Sequence, residues 1–407
     1  MKLSGLFILV SVLLSQQALV AAESGADWPC WRGPERSGVS RETGWTCQWD
    51  TNSLPIRWRA SVGKGFSSCA VSGGRVYTMG NTDGIDTVFS FDAVTGKMLW
   101  RFSYACELQP LSYEGGPGST PAVDEGRLYT FSKDGHLFCL EAQSGRVVWK
   151  KKFERWPLLE GDWKNNWRYA GSPLIVGDRL FVSLGQAGTA FNKKDGTVLW
   201  QSPPGHPGYS SPVPFLSDGK QSLAFFSGHA VIGVEADTGK RLWEIPWQTE
   251  WDFNAADPVI HDGKLFVSSG NNAGCALYDI TINPPRELWR NKNLKTPMNS
   301  SVLWKGNLYG FNDANLSCVA WATGEKRWSE PSIRRGSLIL ADNKLLLLSE
   351  KGELVVAEAS AEAYRPLAQV QILTGRCWTT PVLSRGLIYV RNAAGDIVCL
   401  AARPKPR

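Results

Sequence analysis

The sequence predicts an all-β fold, an eight-bladed β-propeller of four-stranded antiparallel blades. Three observations lead to this prediction. A hairpin motif ending in Trp recurs along the chain, a second strand motif precedes each copy, and the two chain ends carry complementary parts of one further unit. A period of about 40–50 residues, repeated many times, is typical of propellers.

The hairpin motif is complete at residues 88–100, where alternating apolar residues lead to Asp92, then Thr95-Gly96, then Trp100. Period-two alternation predicts strands with one buried side, and the polar-Gly pair predicts a tight turn. The acidic residue is expected to cap that turn. Later Trp residues of the motif follow at intervals of 39 to 51 residues. We expect one set of Trp side chains to pack between blades: Trp58, Trp100, Trp149, Trp200, Trp243, Trp289 and Trp328.

The second motif is a short polar stretch, usually with Pro, that leads into apolar residues and a Gly-containing turn. Its copies begin at Ser67, Ser119, Gly171, Ser210, Asp257, Ser300, Ser337 and Thr379. Eight copies predict eight blades, each running from an inner strand through two middle strands to an outer strand that carries the Trp.

The two chain ends are expected to share one blade. Residues 56–62 have the pattern of an outer strand without partners, whereas residues 379–402 make three strands without an outer one. Pairing the two segments closes the ring and removes the exposed edges of an open array.

Residues 1–22 are predicted to be a secretory signal, with Lys2, an apolar run over residues 6–14 and cleavage after Ala22. The apolar run is too short to cross a bilayer, and we expect no membrane span elsewhere. The protein is therefore predicted to be exported, to the periplasm or the extracellular space. We assign residues 23–54 to an N-terminal strap and residues 55–407 to the propeller.

The strap contains the turn-rich stretch 28–34, which holds two Trp residues. We expect it to pack over a flank of the propeller; the alternative is that it contributes to a ligand site. Cys30 and Cys47 flank this segment and are a candidate disulfide in an exported protein. Equivalent positions in distant blades hold three further Cys residues that are expected to be buried thiols: Cys139, Cys318 and Cys399.

The net charge of +6 comes from scattered basic residues rather than a basic stripe. Nucleic-acid binding is therefore not expected. We expect a monomer.

The repeated acid, Thr-Gly and Trp pattern, clearest at residues 91–100 and 234–243, resembles the pyrroloquinoline-quinone-like (quinoprotein-type) propeller repeat family. The strap stretch 27–34, with Gly38 and Ser40, resembles exported single-propeller members of planctomycete type. The resemblance covers essentially the whole mature chain. It implies the eight-bladed fold and two possible functions, since the family includes quinone-dependent alcohol dehydrogenases and the non-enzymatic propeller lipoprotein of the outer-membrane barrel-assembly machinery.

Loop lengths predict which face of the propeller carries function. The links between first and second strands and the Thr-Gly turns are short and share one face. The links from each outer strand to the next inner strand are long and lie on the opposite face, where binding residues usually sit. We predict a channel-mouth binding site there made by Lys64, Glu114, Arg168, Tyr169, Tyr209, Trp251, Asn254, Asn299, Arg335, Arg376 and Trp378.

We predict a binding or assembly scaffold that engages a protein, a small molecule or a polymer at this mouth, without catalytic or metal-binding residues and without a cofactor. One alternative is a quinone-dependent alcohol or polyol (polyvinyl-alcohol-type) dehydrogenase, which would use pyrroloquinoline quinone with Ca²⁺. The resemblance implies that such an enzyme commonly has an adjacent Cys-Cys pair beside the quinone, which this sequence lacks. A small oxygen-rich group, Asp252, Asn254 and Asp257, is its candidate ion site. The other alternative is carbohydrate or polymer recognition.

Overall fold

The computed structural model describes residues 27–49, 54–110, 113–154, 167–313 and 315–402. These residues form eight β-sheets arranged as the blades of a propeller, and 33 strands are found among them. The predicted signal segment lies outside the described residues. The described residues contain no helix that is long and apolar enough to cross a membrane.

The chain builds the blades in order, each from the channel outward. Before the first blade come β1 (Val39–Ser40) and β2 (Ile56–Ser61). Blade 1 is formed by β3 (Ala70–Ser72), β4 (Arg75–Thr82), β5 (Ile85–Asp92) and β6 (Met98–Ala105). Blade 2 is formed by β7 (Ala122–Asp124), β8 (Arg127–Phe131), β9 (His136–Glu141) and β10 (Val147–Lys152). Blade 3 is formed by β11 (Leu174–Val176), β12 (Arg179–Val182), β13 (Thr189–Asn192) and β14 (Val198–Gln201). Blade 4 is formed by β15 (Val213–Ser217), β16 (Lys220–Phe226), β17 (Ala230–Glu235) and β18 (Arg241–Pro246).

The second half repeats the pattern. Blade 5 is formed by β19 (Val259–His261), β20 (Lys264–Ser269), β21 (Gly274–Asp279) and β22 (Arg286–Asn291). Blade 6 is formed by β23 (Val302–Trp304), β24 (Asn307–Asn312), β25 (Asn315–Ala320) and β26 (Lys326–Glu330). Blade 7 is formed by β27 (Gly336–Ala341), β28 (Lys344–Ser349), β29 (Glu353–Glu358) and β30 (Pro366–Gln371). Blade 8 takes β31 (Val382–Ser384), β32 (Leu387–Arg391) and β33 (Asp396–Ala401).

Blade 8 is completed from the other end of the chain, as predicted. Strand β2 pairs antiparallel with β33, with Trp58 opposite Cys399 and Ser61 opposite Asp396. The ring is thereby closed. Blade 7 departs from the four-stranded prediction, because β1 adds a fifth, parallel strand along the channel edge of β27.

The hairpin motif has a clear packing reason. The Trp100 indole lies against the turn glycine of the next blade, Gly145, whose φ is +74° and where an added Cβ would come within 2.6 Å of the ring. Trp100 Nε1 also donates to Ala142 O of that blade at 3.0 Å. The same Trp-to-carbonyl bond is made by Trp58, Trp149, Trp200, Trp289 and Trp328. The Trp therefore joins neighbouring blades, and only Gly leaves room for it.

A belt of hydrogen bonds links the beginnings of the inner strands around the channel. In each case a backbone N–H bonds to a side-chain oxygen of the next blade, at 2.8–3.0 Å: Ser68 to Thr120, Thr120 to Ser172, Ser172 to Ser211, Ser211 to Asp257, and Asp257 to Ser300. Among these acceptors Asp257 supplies a carboxylate and the others supply hydroxyl groups.

Residues 27–40 of the strap do not lie on a flank, contrary to the sequence-based expectation. They lie across the short-link end of the channel, where Trp28 exchanges two backbone hydrogen bonds of 2.8 Å with Val71 on the inner strand of blade 1. The carboxylate of Asp27 accepts from the N–H of Gly73 in the short turn of that blade, at 2.9 Å. The free edges of the inner strands explain this position, because they offer backbone groups that a flank does not.

Two buried arginines of the strap form hydrogen bonds to blades on the other side of the channel. Arg32 donates to the carbonyl groups of Arg36, Ser37 and Ser301 at 3.1, 2.8 and 2.8 Å. Arg36 donates to Pro173 O in blade 3. The strap therefore contacts blades on opposite sides of the channel and closes its short-link end.

The predicted Cys30–Cys47 disulfide is wrong, because all nine Cys residues are free. The two thiols belong to different surroundings: Cys30 donates to Gly33 O at 3.1 Å inside the strap turn, whereas Cys47 packs with Trp45 against the core of the closing blade. Cys139, Cys318 and Cys399 are fully buried thiols, as expected.

Candidate functional site

A cavity of about 180 Å³ lies at the long-link end of the channel. Its lining comes mostly from the links between an outer strand and the next inner strand, the loops in which the sequence predicts a site. Eight aromatic side chains line it: Trp31, Phe66, Tyr113, Trp167, Tyr169, Tyr209, Phe253 and Trp378.

The aromatic rings contact one another and form a continuous wall. Phe66 stacks on Trp378 with ring centres 5.8 Å apart, and Trp378 meets Tyr113 edge-on at 4.6 Å. Tyr113 in turn stacks on Trp167 at 5.7 Å, and Trp167 contacts Phe253 at 5.0 Å. These residues come from five different links, so their ring contacts fix the loops relative to one another.

The strap forms part of the cavity wall through Trp31. Trp31 Nε1 donates to Asp257 Oδ2 at 2.7 Å, while Asp257 Oδ1 accepts the belt hydrogen bond from Ser211 N at 2.8 Å. Burial raises the pKa of the Asp257 carboxyl, and the neighbouring Arg32 guanidinium acts in the opposite direction. The one carboxylate in the belt therefore holds the indole of Trp31 in place.

Three buried polar groups that line the cavity have no hydrogen-bond partner among the described residues: Lys133 Nζ, Trp167 Nε1 and Thr379 Oγ1. Lys133 and Thr379 are only 5% and 3% exposed. Other buried atoms, such as Arg36 Nη1, also lack partners, but these three surround one space. All three can donate a hydrogen bond, and a buried donor without an acceptor costs about 1–3 kcal/mol.

The charges around the cavity are largely compensated within the protein. Arg376 pairs with Glu114 at 2.6 Å and lies over the rings of Tyr113 and Trp378, at 5.2 and 4.5 Å from their centres. Arg168 pairs with Asp134, which also lies 3.6 Å from Lys133 Nζ. The buried ammonium of Lys133 therefore shares its nearest carboxylate with a second cation.

Several of the predicted site residues meet at this cavity. Tyr169, Tyr209, Asn299 and Trp378 line it directly. Arg335 lies in an adjoining cleft that also includes Asn299 and Trp378. Glu114, Arg168 and Arg376 do not line the cavity but form the ion pairs that fix its loops.

Three predicted residues are placed elsewhere. Asn254 is 0% exposed, and its amide donates to the carbonyl groups of Ser227, Gly228 and Trp247, so it stabilises the loops of blade 4. Lys64 is exposed and takes part in a backbone bridge with Asn81 outside the cavity lining. Trp251 is 48% exposed and also lies outside the lining.

Three residues of the cavity wall, Trp31, Lys133 and Asp257, were not among the predicted channel-mouth residues. Trp31 belongs to the strap, for which packing was the expectation and a ligand site the alternative, and Lys133 belongs to an ordinary Lys-Asp-Gly turn between β8 and β9. Asp257 was predicted only as a candidate ion ligand. Its place in the belt had a signal in the sequence, because an acid replaces the hydroxyl residue that other copies of the second motif carry before Pro, as in Thr120 and Ser172.

The described residues do not fit the ion site of a quinone-dependent enzyme. Both oxygens of Asp257 already accept hydrogen bonds, the amide oxygen of Asn254 accepts from Ser269, and Asp252 pairs with His229 at 3.3 Å. In the described part of the chain no group of three or more His, Cys, Asp or Glu side chains has metal-ligand geometry. The oxygen-rich group predicted from the sequence therefore does not converge on one point.

A family model described as outer membrane protein assembly factor BamB matches residues 85–330. The chain belongs to this family. It is 24% identical over 283 residues to the outer membrane protein assembly factor BamB of Burkholderia pseudomallei, a match that covers 59% of this chain and 69% of that protein. The crystal structure of BamB from Moraxella catarrhalis superposes with a TM-score of 0.64 at 15% identity, covering 86% of this chain and all of that one.

A dehydrogenase is also among the relatives. A stretch of 128 residues is 38% identical to polyvinylalcohol dehydrogenase of a Pseudomonas species, but it covers 29% of this chain and only 20% of that enzyme. The relatives therefore include an assembly factor and an enzyme, and the shared propeller is compatible with either function.

Proposed function

We propose that the protein is an exported, non-catalytic binding propeller that holds its ligand or partner in the cavity at the long-link end of the channel. The observation that carries the proposal is the set of three buried donors, Lys133 Nζ, Trp167 Nε1 and Thr379 Oγ1, around one aromatic space. A bound molecule that supplies acceptors would complete them. Family membership with an assembly factor supports the scaffold role.

The second candidate is a dehydrogenase that uses pyrroloquinoline quinone and Ca²⁺, which is favoured by the stretch 38% identical to polyvinylalcohol dehydrogenase. The side-chain oxygens of Asp257 and Asn254 already accept hydrogen bonds within the protein, which argues against their use as Ca²⁺ ligands.

Titration with pyrroloquinoline quinone and Ca²⁺ separates these two functions. We expect no reduction of an artificial electron acceptor with ethanol or polyvinyl alcohol as substrate. Turnover that depends on both the quinone and the ion would overturn the binding function.

The site of engagement needs a separate test. A photo-cross-linking amino acid at Arg335, beside the cavity, should capture a partner in cells that export the protein. The same amino acid at Leu216, which is 69% exposed and precedes a short link of blade 4, is the control. Equal capture at both positions would contradict binding at the long-link end.

A further inference from the structure

We propose that the cavity binds one acidic sugar ring of a glycan, with the carboxylate of the sugar against Lys133. The inference rests on the proposed binding function and names the class of ligand. It follows from four properties of the cavity: its size, its walls, its unpaired donors and its charge.

The size of the cavity suits one ring. Its volume is about 180 Å³. An apolar protein cavity of about 150 Å³ is known to take up benzene. A single six-membered ring therefore fits, with the rest of a polymer left outside the mouth.

The walls suit a ring with two apolar faces. Trp31 and Trp378 present indole surfaces, and the stack of Tyr113 on Trp167 presents a second flat surface. The C–H faces of a pyranose pack on such surfaces, as does the aromatic side chain of a peptide. The walls by themselves do not separate these two ligands.

The unpaired donors favour the sugar. Lys and Trp side chains can only donate, so Lys133 and Trp167 both need acceptor oxygens, and the hydroxyl of Thr379 adds a third position. A tyrosine side chain carries one oxygen and would leave two donors buried without acceptors. A pyranose ring carries oxygens around its whole circumference and can serve all three.

The charges favour an acidic sugar. Arg376 is paired with Glu114, Arg168 with Asp134, and the charge of Asp257 lies beside that of Arg32. Asp86, a further carboxyl near Lys133, accepts from Asn81 at 2.6 Å and from Tyr104 at 3.4 Å. Lys133 thus remains a buried cation in the cavity wall with no hydrogen-bond acceptor among the described residues, and a charge-assisted bond to a carboxylate is the strongest that it can form.

Isothermal titration with two matched probes, methyl β-D-glucuronoside and methyl β-D-glucoside, tests the proposal. We expect the glucuronoside to bind at least about tenfold more tightly, a difference of about 1.4 kcal/mol. Lys133→Met should make the two affinities equal, and Thr379→Val should weaken both several-fold. Lys64→Met, which removes an exposed lysine outside the cavity lining, should change neither affinity.

Thermal unfolding of each variant verifies that it folds. Equal affinity of the wild-type protein for both probes, or binding of N-acetyl-tyrosinamide instead of either sugar, would overturn the acidic-sugar inference. In the second case the binding function survives, provided that Thr379→Val weakens that binding too. Quinone-dependent turnover, by contrast, would overturn the binding function itself.

Discussion

The two ends of the propeller channel differ, because one is closed by the strap and the other contains a cavity. At the short-link end the strap pairs with inner strands through Trp28 and through the β1–β27 contact, and Arg32 and Arg36 bind carbonyl groups across the opening. At the long-link end the links surround a cavity in which three buried donors have no hydrogen-bond partner among the described residues. The chain thus fills one end with its own residues, and the proposed ligand would occupy the other.

This difference gives a symmetrical fold a functional direction. Eight similar blades define a channel that can be entered from both ends in principle. Because the strap closes one end and contributes Trp31 to the wall of the cavity, the proposed ligand would contact both the strap and the blades at the other end.

The largest effect is expected at the closed end. Arg32→Met removes the donor of three hydrogen bonds to buried carbonyl groups and should lower the free energy of unfolding by about 3 kcal/mol or more, measured by urea denaturation. Arg41→Met is the control, because its side chain is 70% exposed and its pair with Glu35 contributes little. Equal midpoints for the two variants would mean that the strap does not hold the closed end.

The next effect concerns the contact between blades. Gly145 and Gly126 both have φ +74°, but an added Cβ at Gly145 would lie 2.6 Å from Trp100, whereas at Gly126 it would meet open space. Gly126→Ala should cost about 1 kcal/mol for the backbone conformation alone. Gly145→Ala should cost at least about 1 kcal/mol more because the indole must move. Equal losses in thermal unfolding would show that Trp100 does not determine the Gly position.

Between the two ends, Asp257 should make stability depend on pH. Burial raises its pKa in the folded protein above the unfolded value, so the folded state binds the proton more tightly. Its contribution is therefore complete below the ordinary Asp pKa and is lost as the pH rises through the raised value. The stability difference between wild type and Asp257→Asn should fall over this window in urea denaturation. A difference that rises with pH would contradict the raised pKa.

The smallest effects are expected at the open end. Ser172→Ala leaves the backbone N–H of Thr120 without its 2.9 Å acceptor and should cost about 1 kcal/mol. Thr379→Val removes a hydroxyl that bonds to none of the described residues, so stability should stay within about 0.5 kcal/mol of wild type or rise. A larger loss for Thr379→Val than for Ser172→Ala would show that the Thr379 hydroxyl has a structural role.

The sequence was sufficient for the propeller because its determinants recur. Five of the seven motif Trp residues contact the turn Gly of the next blade, as Trp100 contacts Gly145. One recurring pattern therefore predicts both the strands and the contact between neighbouring blades. Closure of the ring by residues 56–61 could also be predicted, since neither β2 nor the last three strands make a complete four-stranded blade without the other.

The residues of the cavity could be predicted only in part from the sequence, because they do not recur from blade to blade. Tyr169, Tyr209 and Trp378 were found from the rule that long links carry function. Asn254 met the same rule, yet its amide is used by three carbonyl groups. Trp31 was reached only through the alternative that the strap contributes to a ligand site, because its place depends on the strap crossing the channel to reach Asp257, 226 residues away in sequence.

The opposed roles of the two channel ends are tested most directly by Lys133→Met, measured for both stability and affinity. The variant removes a buried ammonium that has no hydrogen-bond acceptor among the described residues. We predict that the free energy of unfolding is unchanged or increased, while the affinity for methyl β-D-glucuronoside falls at least about tenfold. A loss of stability with unchanged affinity would contradict the account, because Lys133 would then be a structural residue.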